Sequence, residues 1–345
     1  MRALYMPQLN KIELKDVEKP QLKNSTDVII KVTSTTICGS DIHIVNGVIP
    51  TQPGFVLGHE YVGIIEEVGD DVKNFRVGDR VIGPPAPFCG ECGPCEKGNV
   101  AHCLHGGIHG SGVTRGDIPG THAEYTRVPH GDSCLLHVPQ HLSDEEVIFI
   151  SDIVATGYTG IHKMNLQEGE TLLVFGCGPV GLSAVLTAKF RKPKNIIVVE
   201  KSEQRLQKAM ELGATHGLLV GRDNVEEEVA KITGGVGVDV VIDAVGLAIT
   251  LEQGFNALTV EGRLFMVGIP EAPVAIHPLH FFKNITFSMG LGDLTKIEEL
   301  LGYVANGELD LKPLISHQMS LDDVEAAFDL FANNPNEVLK IIIKP

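Results

Sequence analysis

Between residues 171 and 289 the chain alternates short runs of aliphatic and β-branched residues with stretches whose apolar positions recur every three or four residues. Residues 171–176 predict a strand and residues 179–190 a helix. Asn195–Glu200, read as Asn-Ile-Ile-Val-Val-Glu, predicts a second strand buried on both faces. Ser202 is placed to cap the next helix, with Leu206, Ala209 and Met210 on its apolar side and Gly213 at its end. Further strands are expected at 216–220, Val238–Asp243, 262–267 and 285–289. Parallel strands need helical crossovers, so this alternation predicts an α/β, doubly wound parallel sheet. The first 150 residues differ: Val28–Thr36, Tyr61–Val68 and Arg80–Ile82 read as short strands parted by Gly, Pro and Asp turns, the pattern of a β-rich domain. The last stretch carries helical patterns at 294–306 and 321–333 and a closing strand at 338–343. The expected organisation is a β-rich domain from 1–153 and 291–345 around a nucleotide-binding domain at 154–290.

Composition narrows the class of function. Apolar residues make up 43% of the 345 and charged residues 21%, as in a packed globular protein rather than a disordered one. Lys and Arg number 28 against 44 Asp and Glu, a net charge of −16 that argues against nucleic acid or an anionic membrane as partner. Residues 171–188 carry no charge, but three glycines and Pro179 interrupt them, so a strand, turn and buried helix explain them better than a membrane span. No export signal is read at the N-terminus. Four of the seven cysteines fall between Cys89 and Cys103, which in a reducing cytoplasm predicts a metal site rather than a disulfide framework.

Gly176-Cys177-Gly178-Pro179-Val180-Gly181 matches G-x-G-x-x-G between a predicted strand and a predicted helix. Gly176 permits the tight turn, Gly178 lets the backbone approach a pyrophosphate, and Gly181 allows close helix–strand packing. The helix N-terminus, opened by Pro179 and Val180, then offers N–H groups and a positive dipole end to the phosphates. Glu200 ends the next strand 19 residues after Gly181, where a carboxylate accepts hydrogen bonds from ribose hydroxyls and repels a 2′-phosphate. The expected cofactor is therefore NAD rather than NADP, although Lys201 and Arg205 stand close enough in sequence to reach a phosphate.

Cys89, Cys92, Cys95 and Cys103 are spaced C-x2-C-x2-C-x7-C, with glycines that let the loop bend until four thiolates converge. Four such ligands close a tetrahedral, structural zinc site. The competing iron–sulfur run has its fourth Cys after three residues and before Pro, whereas seven residues intervene here and Leu104 follows. A second set is scattered: Cys38-Gly39-Ser40-Asp41-Ile42-His43, Gly58-His59-Glu60 and Ser151-Asp152. Singly, each reads as packing, a satisfied polar group or a helix cap. His102, His105, His109 and His122 suit a loop beside the cysteine lobe better than a third metal site.

Together and in this order, these elements resemble the medium-chain, zinc-dependent alcohol dehydrogenases over essentially the whole chain. The resemblance implies a GroES-like catalytic domain, a Rossmann domain and a cleft between them holding a catalytic zinc. It makes Cys38, His59 and Asp152 the zinc ligands, with Glu60 beside the metal as an alternative carboxylate. It points to Ser40 as the acceptor of the alcohol proton and His43 as the next step of the relay. It sets Thr156 toward the nicotinamide, Arg205 toward the adenosine end, and Gly268 at the carboxamide. Asp152 as third ligand resembles bacterial secondary-alcohol dehydrogenases, whereas Glu200 departs from the NADP-dependent ones among them. The expected function is reversible, zinc- and NAD-dependent oxidation of a secondary alcohol by a homodimer or homotetramer. The alternatives are a polyol or vicinal-diol dehydrogenase and, in another class, a cofactor-binding structural or sensing protein without turnover.

Overall fold

The computed structural model describes residues 1–270 and 273–345. The chain begins with a hairpin of β1 (Arg2–Gln8) and β2 (Lys11–Asp16), turning at Asn10, whose φ is +58°. This hairpin had no clear alternation: most of β2 is half-buried, so its polar and apolar positions are poorly separated. β3 (Val28–Thr36) leads directly into α1 (Gly39–Val45), followed by β4 (Phe55–Val56), β5 (Tyr61–Val68) and β6 (Arg80–Ile82). The cysteine lobe holds the single turn α2 (Gly93–Glu96). β7 (Tyr125–Val128), α3 (Gly131–Cys134), β8 (Leu136–His137) and α4 (Asp144–Val147) complete the N-terminal part. β3 is its spine, antiparallel to β5 and to β7.

After α5 (Ile153–Lys163) come β9 (Thr171–Phe175), α6 (Pro179–Ala188), β10 (Asn195–Glu200), α7 (Glu203–Glu211), β11 (His216–Leu219), α8 (Val225–Thr233), β12 (Val238–Asp243), α9 (Ala248–Ala257), β13 (Leu258–Met266) and β14 (Thr286–Met289). The six strands lie in the order β11-β10-β9-β12-β13-β14 with every pair parallel, a Rossmann-like sheet. Its core is built from Leu173, Phe175, Ile197, Val241, Phe255 and Leu264. β13 starts at Leu258, ahead of the predicted 262, because the ladder breaks where Glu261 takes φ +61° and the alternation breaks with it. Met210 is 37% exposed, so only Leu206 and Ala209 form the buried stripe of α7.

The C-terminal segment carries α10 (Ile297–Ala305), β15 (Ile315–Ser320), α11 (Val324–Asn333) and β16 (Lys340–Lys344). β15, a partly exposed edge strand of mixed polarity, had no strand signal in the sequence. β16 runs parallel to β15 and antiparallel to β3, extending the N-terminal sheet to β15-β16-β3-β5-β6-β8. α11 packs Val324, Ala327 and Phe328 into a core with Leu4, Ile37 and Ile343. Met1–Asp152 with Asp293–Pro345 form one compact unit, a GroES-like β domain, and Ile153–Gly292 the other. Among the described residues, no helix is long and apolar enough to cross a membrane.

Candidate metal centres and dinucleotide loop

Cys38 stands at the N-cap of α1, and the Asp41 carboxylate three residues on accepts the Cys38 N–H at 2.9 Å. That local bond turns the end of β3 so that the Cys38 thiol meets residues from two other places in the chain. His59 and Glu60 immediately precede β5, and Asp152 follows the turn after α4. One ligand atom from each of Cys38, His59, Glu60 and Asp152 falls within 4.8 Å of all the others. Cys38 Sγ is 3.7 Å and His59 Nε2 3.2 Å from Asp152 Oδ2. Ser40 Oγ is 3.2 Å from the same His59 nitrogen, and His43 stands one turn further along α1.

The polarity of the His59 ring follows from its neighbours. Asp41 Oδ1 lies 3.1 Å from His59 Nδ1 and, as a carboxylate, can only accept, so Nδ1 carries a proton; Nε2 faces the Asp152 carboxylate at 3.2 Å and offers a metal its lone pair only once its own proton is displaced. Burial disfavours the Asp41 carboxylate, but His59 and His122 outweigh it and hold Asp41 well below the usual carboxylate range. Burial likewise pulls the His59 imidazole down, and Asp41 overcomes that and raises it well above its ordinary value. Metal and proton thus compete for the same nitrogen. Glu60 is fully buried, with Oε1 accepting from Lys340 Nζ at 2.6 Å and Oε2 without a hydrogen-bond partner. Burial pushes its carboxyl up to about 7, against the pull of Lys340. A thiol, an imidazole lone pair and two carboxylates, one with an unpartnered buried oxygen, are a donor set that zinc accepts.

The second cluster consists of Cys89, Cys92, Cys95 and Cys103. Sulfur–sulfur distances are 3.4 Å for Cys92–Cys95, 3.9 Å for Cys92–Cys103 and 3.5 Å for Cys89–Cys103. A tetrahedron of Zn–S bonds of about 2.3 Å has sulfurs about 3.8 Å apart, so the cage has the right size for zinc. Backbone N–H groups of Cys89 and His105 donate to Cys103 Sγ, and that of Leu104 to Cys92 Sγ. The Leu104 bond comes first among the causes that lower the Cys92 thiol to about 6, as a thiolate ligand needs. Of the four histidines considered for a third site, none joins a metal-competent cluster among the described residues. His109, fully buried, is pushed down to about 4 by burial; its Nδ1 donates to the Pro119 carbonyl at 2.7 Å and its ring meets the Tyr61 ring edge-on.

The glycine loop links β9 to α6. Gly176 has φ +86°, and a Cβ on Gly181 would fall 1.8 Å from the Gly176 carbonyl oxygen, so the turn and the helix approach both require glycine. Gly178 is the N-cap of α6, with Pro179 and Val180 half-buried in its first turn. Glu200 closes β10 and is already engaged: Oε2 accepts from Cys177 N–H at 2.6 Å, and Oε1 from the N–H groups of Lys201 and Ser202. Three of its roughly four acceptor positions are used, which leaves room for one hydroxyl. Half-buried Arg205 faces the loop, its guanidinium 3.6 Å from where a Gly178 Cβ would be. Gly268 follows β13, where a Cβ would lie 2.4 Å from Gly246 N, and Thr156 Oγ1 is 2.6 Å from where a Gly292 Cβ would be.

Three partners escaped sequence reasoning. Asp41 had a visible signal, a carboxylate three residues after an N-cap position. Lys340 had a weaker one, a cation opening the apolar run Ile-Ile-Ile. His122 had none that separated it from the other histidines of its loop.

Residues 24–140 match the Alcohol dehydrogenase GroES-like domain, and residues 179–303 match the Zinc-binding dehydrogenase family. An alcohol dehydrogenase of Cupriavidus necator is 36% identical over 363 aligned positions, covering 100% of this chain and 99% of that one. The structure of the alcohol dehydrogenase TADH from Thermus sp. ATN1 superposes with a TM-score of 0.94 at 34% identity, covering 100% of this chain and 99% of that one. An alcohol dehydrogenase from Escherichia coli CFT073, complexed with NADH, superposes with a TM-score of 0.91 at 26% identity, with coverage of 100% and 99%.

Proposed function

The chain belongs to the zinc-dependent medium-chain alcohol dehydrogenases, and from that premise we propose that it oxidises a secondary alcohol to a ketone with NAD, reversibly. The alcohol dehydrogenase activity is that of the family; the substrate class, the coenzyme and the residue roles are this proposal. The observation that carries it is the convergence of Cys38, His59, Glu60 and Asp152 within 4.8 Å of one another, with Glu60 Oε2 buried and without a hydrogen-bond partner. In this reading Cys38, His59 and Asp152 hold the catalytic zinc, Glu60 stands as the alternative carboxylate, and Cys89, Cys92, Cys95 and Cys103 hold the structural one. When bound, zinc supplies a Lewis acid that makes an alcohol hydroxyl far more acidic, and NAD supplies the hydride acceptor.

The chain's own residues do the rest. Ser40, beside His59, takes the hydroxyl proton and hands it along α1 to His43, since a serine alone is too weak a base. Gly176, Gly178, Pro179, Val180 and Gly181 hold the pyrophosphate, and Glu200 takes a ribose hydroxyl while disfavouring a 2′-phosphate. Arg205 lies along the adenosine end, Thr156 against the nicotinamide, and Gly268 offers its backbone to the carboxamide. The oligomer of this reading forms through the open edge of β14.

Initial rates with NAD and NADP across primary, secondary, vicinal-diol and polyol substrates, before and after chelation, test this reading. Chelator-sensitive turnover, fastest with NAD and a secondary alcohol, is expected. A faster diol or polyol would replace the substrate class, preference for NADP would remove the role of Glu200, and zinc-replete protein inactive on all four classes would favour a binding protein.

A further inference from the structure

Asp41 is fully buried and accepts three N–H groups: from Cys38, from His59 and from His122. The first two come from residues of the metal cluster. The third comes from the far side of the domain's chain order, 81 residues away, and serves no part of the chemistry described above. His122 is 0% exposed and its backbone is pinned on both sides: its N–H donates to the Leu57 carbonyl at 2.9 Å, and its carbonyl accepts from Leu4 N–H at 2.8 Å. It packs closely on the residue before His59, since a Cβ on Gly58 would meet His122 Cγ and the His122 backbone N at 2.6 Å each.

The proton inventory assigns the ring's polarity. Nε2 is 3.3 Å from Asp41 Oδ2, which only accepts, so Nε2 is protonated. Nδ1 is 2.9 Å from Thr35 Oγ1, whose hydroxyl also donates to the Glu60 carbonyl at 2.8 Å beside Thr121 Oγ1 at 3.2 Å. Both ring nitrogens of His122 thus have a partner, which fixes one orientation of the ring. The resulting chain runs Thr35 to His122 to Asp41 to His59, every link buried.

We propose that His122 is a positioning residue for the metal-binding imidazole: it anchors the Asp41 carboxylate that keeps His59 Nε2 aimed at the cluster. The inference rests on the reading that His59 holds zinc. Outer partners of this kind typically change metal affinity about 10- to 100-fold when removed.

The test compares wild type, H122F and H122Q, which offers an amide N–H where Nε2 stood. Release of each zinc to a chelator is timed, and the absorption bands of cobalt exchanged into the released position are recorded. In H122F one zinc should leave about 10- to 100-fold faster, the other at the wild-type rate, with shifted cobalt bands. H122Q should recover most of the difference. Unchanged release and unchanged bands in H122F would overturn the proposal, as would equal damage in H122F and H122Q, which would assign the effect to packing on Gly58. Should H122F not fold, T35V removes the hydroxyl partner of the ring together with its bond to the Glu60 carbonyl, and wild-type values there overturn the proposal as well. A wild-type protein whose zinc release H59N does not alter would overturn the zinc reading along with this one.

Discussion

Without its ammonium partner, the Glu60 carboxylate would be buried beside Asp152 and have no cation on Lys340's side. Removing one member of a buried pair costs about 3–5 kcal/mol, so K340M should be strongly destabilised. The pH dependence carries the sign. Glu60 has a folded value near 7 against an ordinary 4.5, so its contribution is fully present below 4.5 and is lost as pH rises through 7. In K340M that loss should extend to higher pH, and the two stability curves of metal-stripped protein, followed by denaturant between pH 5 and 9, should diverge as pH rises; parallel curves would contradict the pairing. At the same scale, S40A should keep its zinc while kcat falls about 100-fold or more, as expected for a proton-transfer group. Singly the strings around Ser40 and His59 read as packing or satisfied polar groups, and only their order with the cysteine lobe and the glycine loop singled them out. Lys340 was not legible, since a lysine at a strand end is ordinarily solvated and only burial reveals its partner.

Among the elements, α4 governs the approach to Asp152. Glu146 caps it by accepting Ser143 N–H at 2.7 Å, and Lys312 Nζ reaches the same side chain at 2.9 Å. The Lys312 hydrogen bond leads the causes that hold the Glu146 carboxyl down at about 2. A depressed value means stability present above 4.5 and lost as pH falls toward 2. E146A should therefore cost about 1 kcal/mol at neutral pH, the usual value of a cap, and the gap to wild type should close between pH 4.5 and 2 in thermal melts. Strands with strong aliphatic runs, such as β10 and β12, were legible to the residue because burial on both faces leaves no room for polar interruption. The β1–β2 hairpin and β15 were not, because half-exposed strands tolerate mixed polarity, and β13 was shortened in sequence by its own bulge at Glu261.

At the scale of the molecule, the parallel sheet ends in β14, whose outer edge is unpaired among the described residues, next to Phe281 at 81% and Phe282 at 76% exposure. An open edge beside exposed aromatic rings is a template for pairing with a second copy. Sedimentation should find wild type oligomeric and F281D/F282D shifted to the monomer; a monomeric wild type would remove the reading. Chain-local spacing sufficed for the four-cysteine cage, the glycine loop and the separation into a β-rich and a parallel-sheet part, because ligand convergence over fourteen residues and hydrophobic periodicity are written in covalent order. The pairing of Lys340 with Glu60 across 280 residues, and the chain from Thr35 through His122 and Asp41 to His59, arose only in the folded domain. Those contacts depend on which polar groups are sealed from water together, and no period in the sequence encodes that.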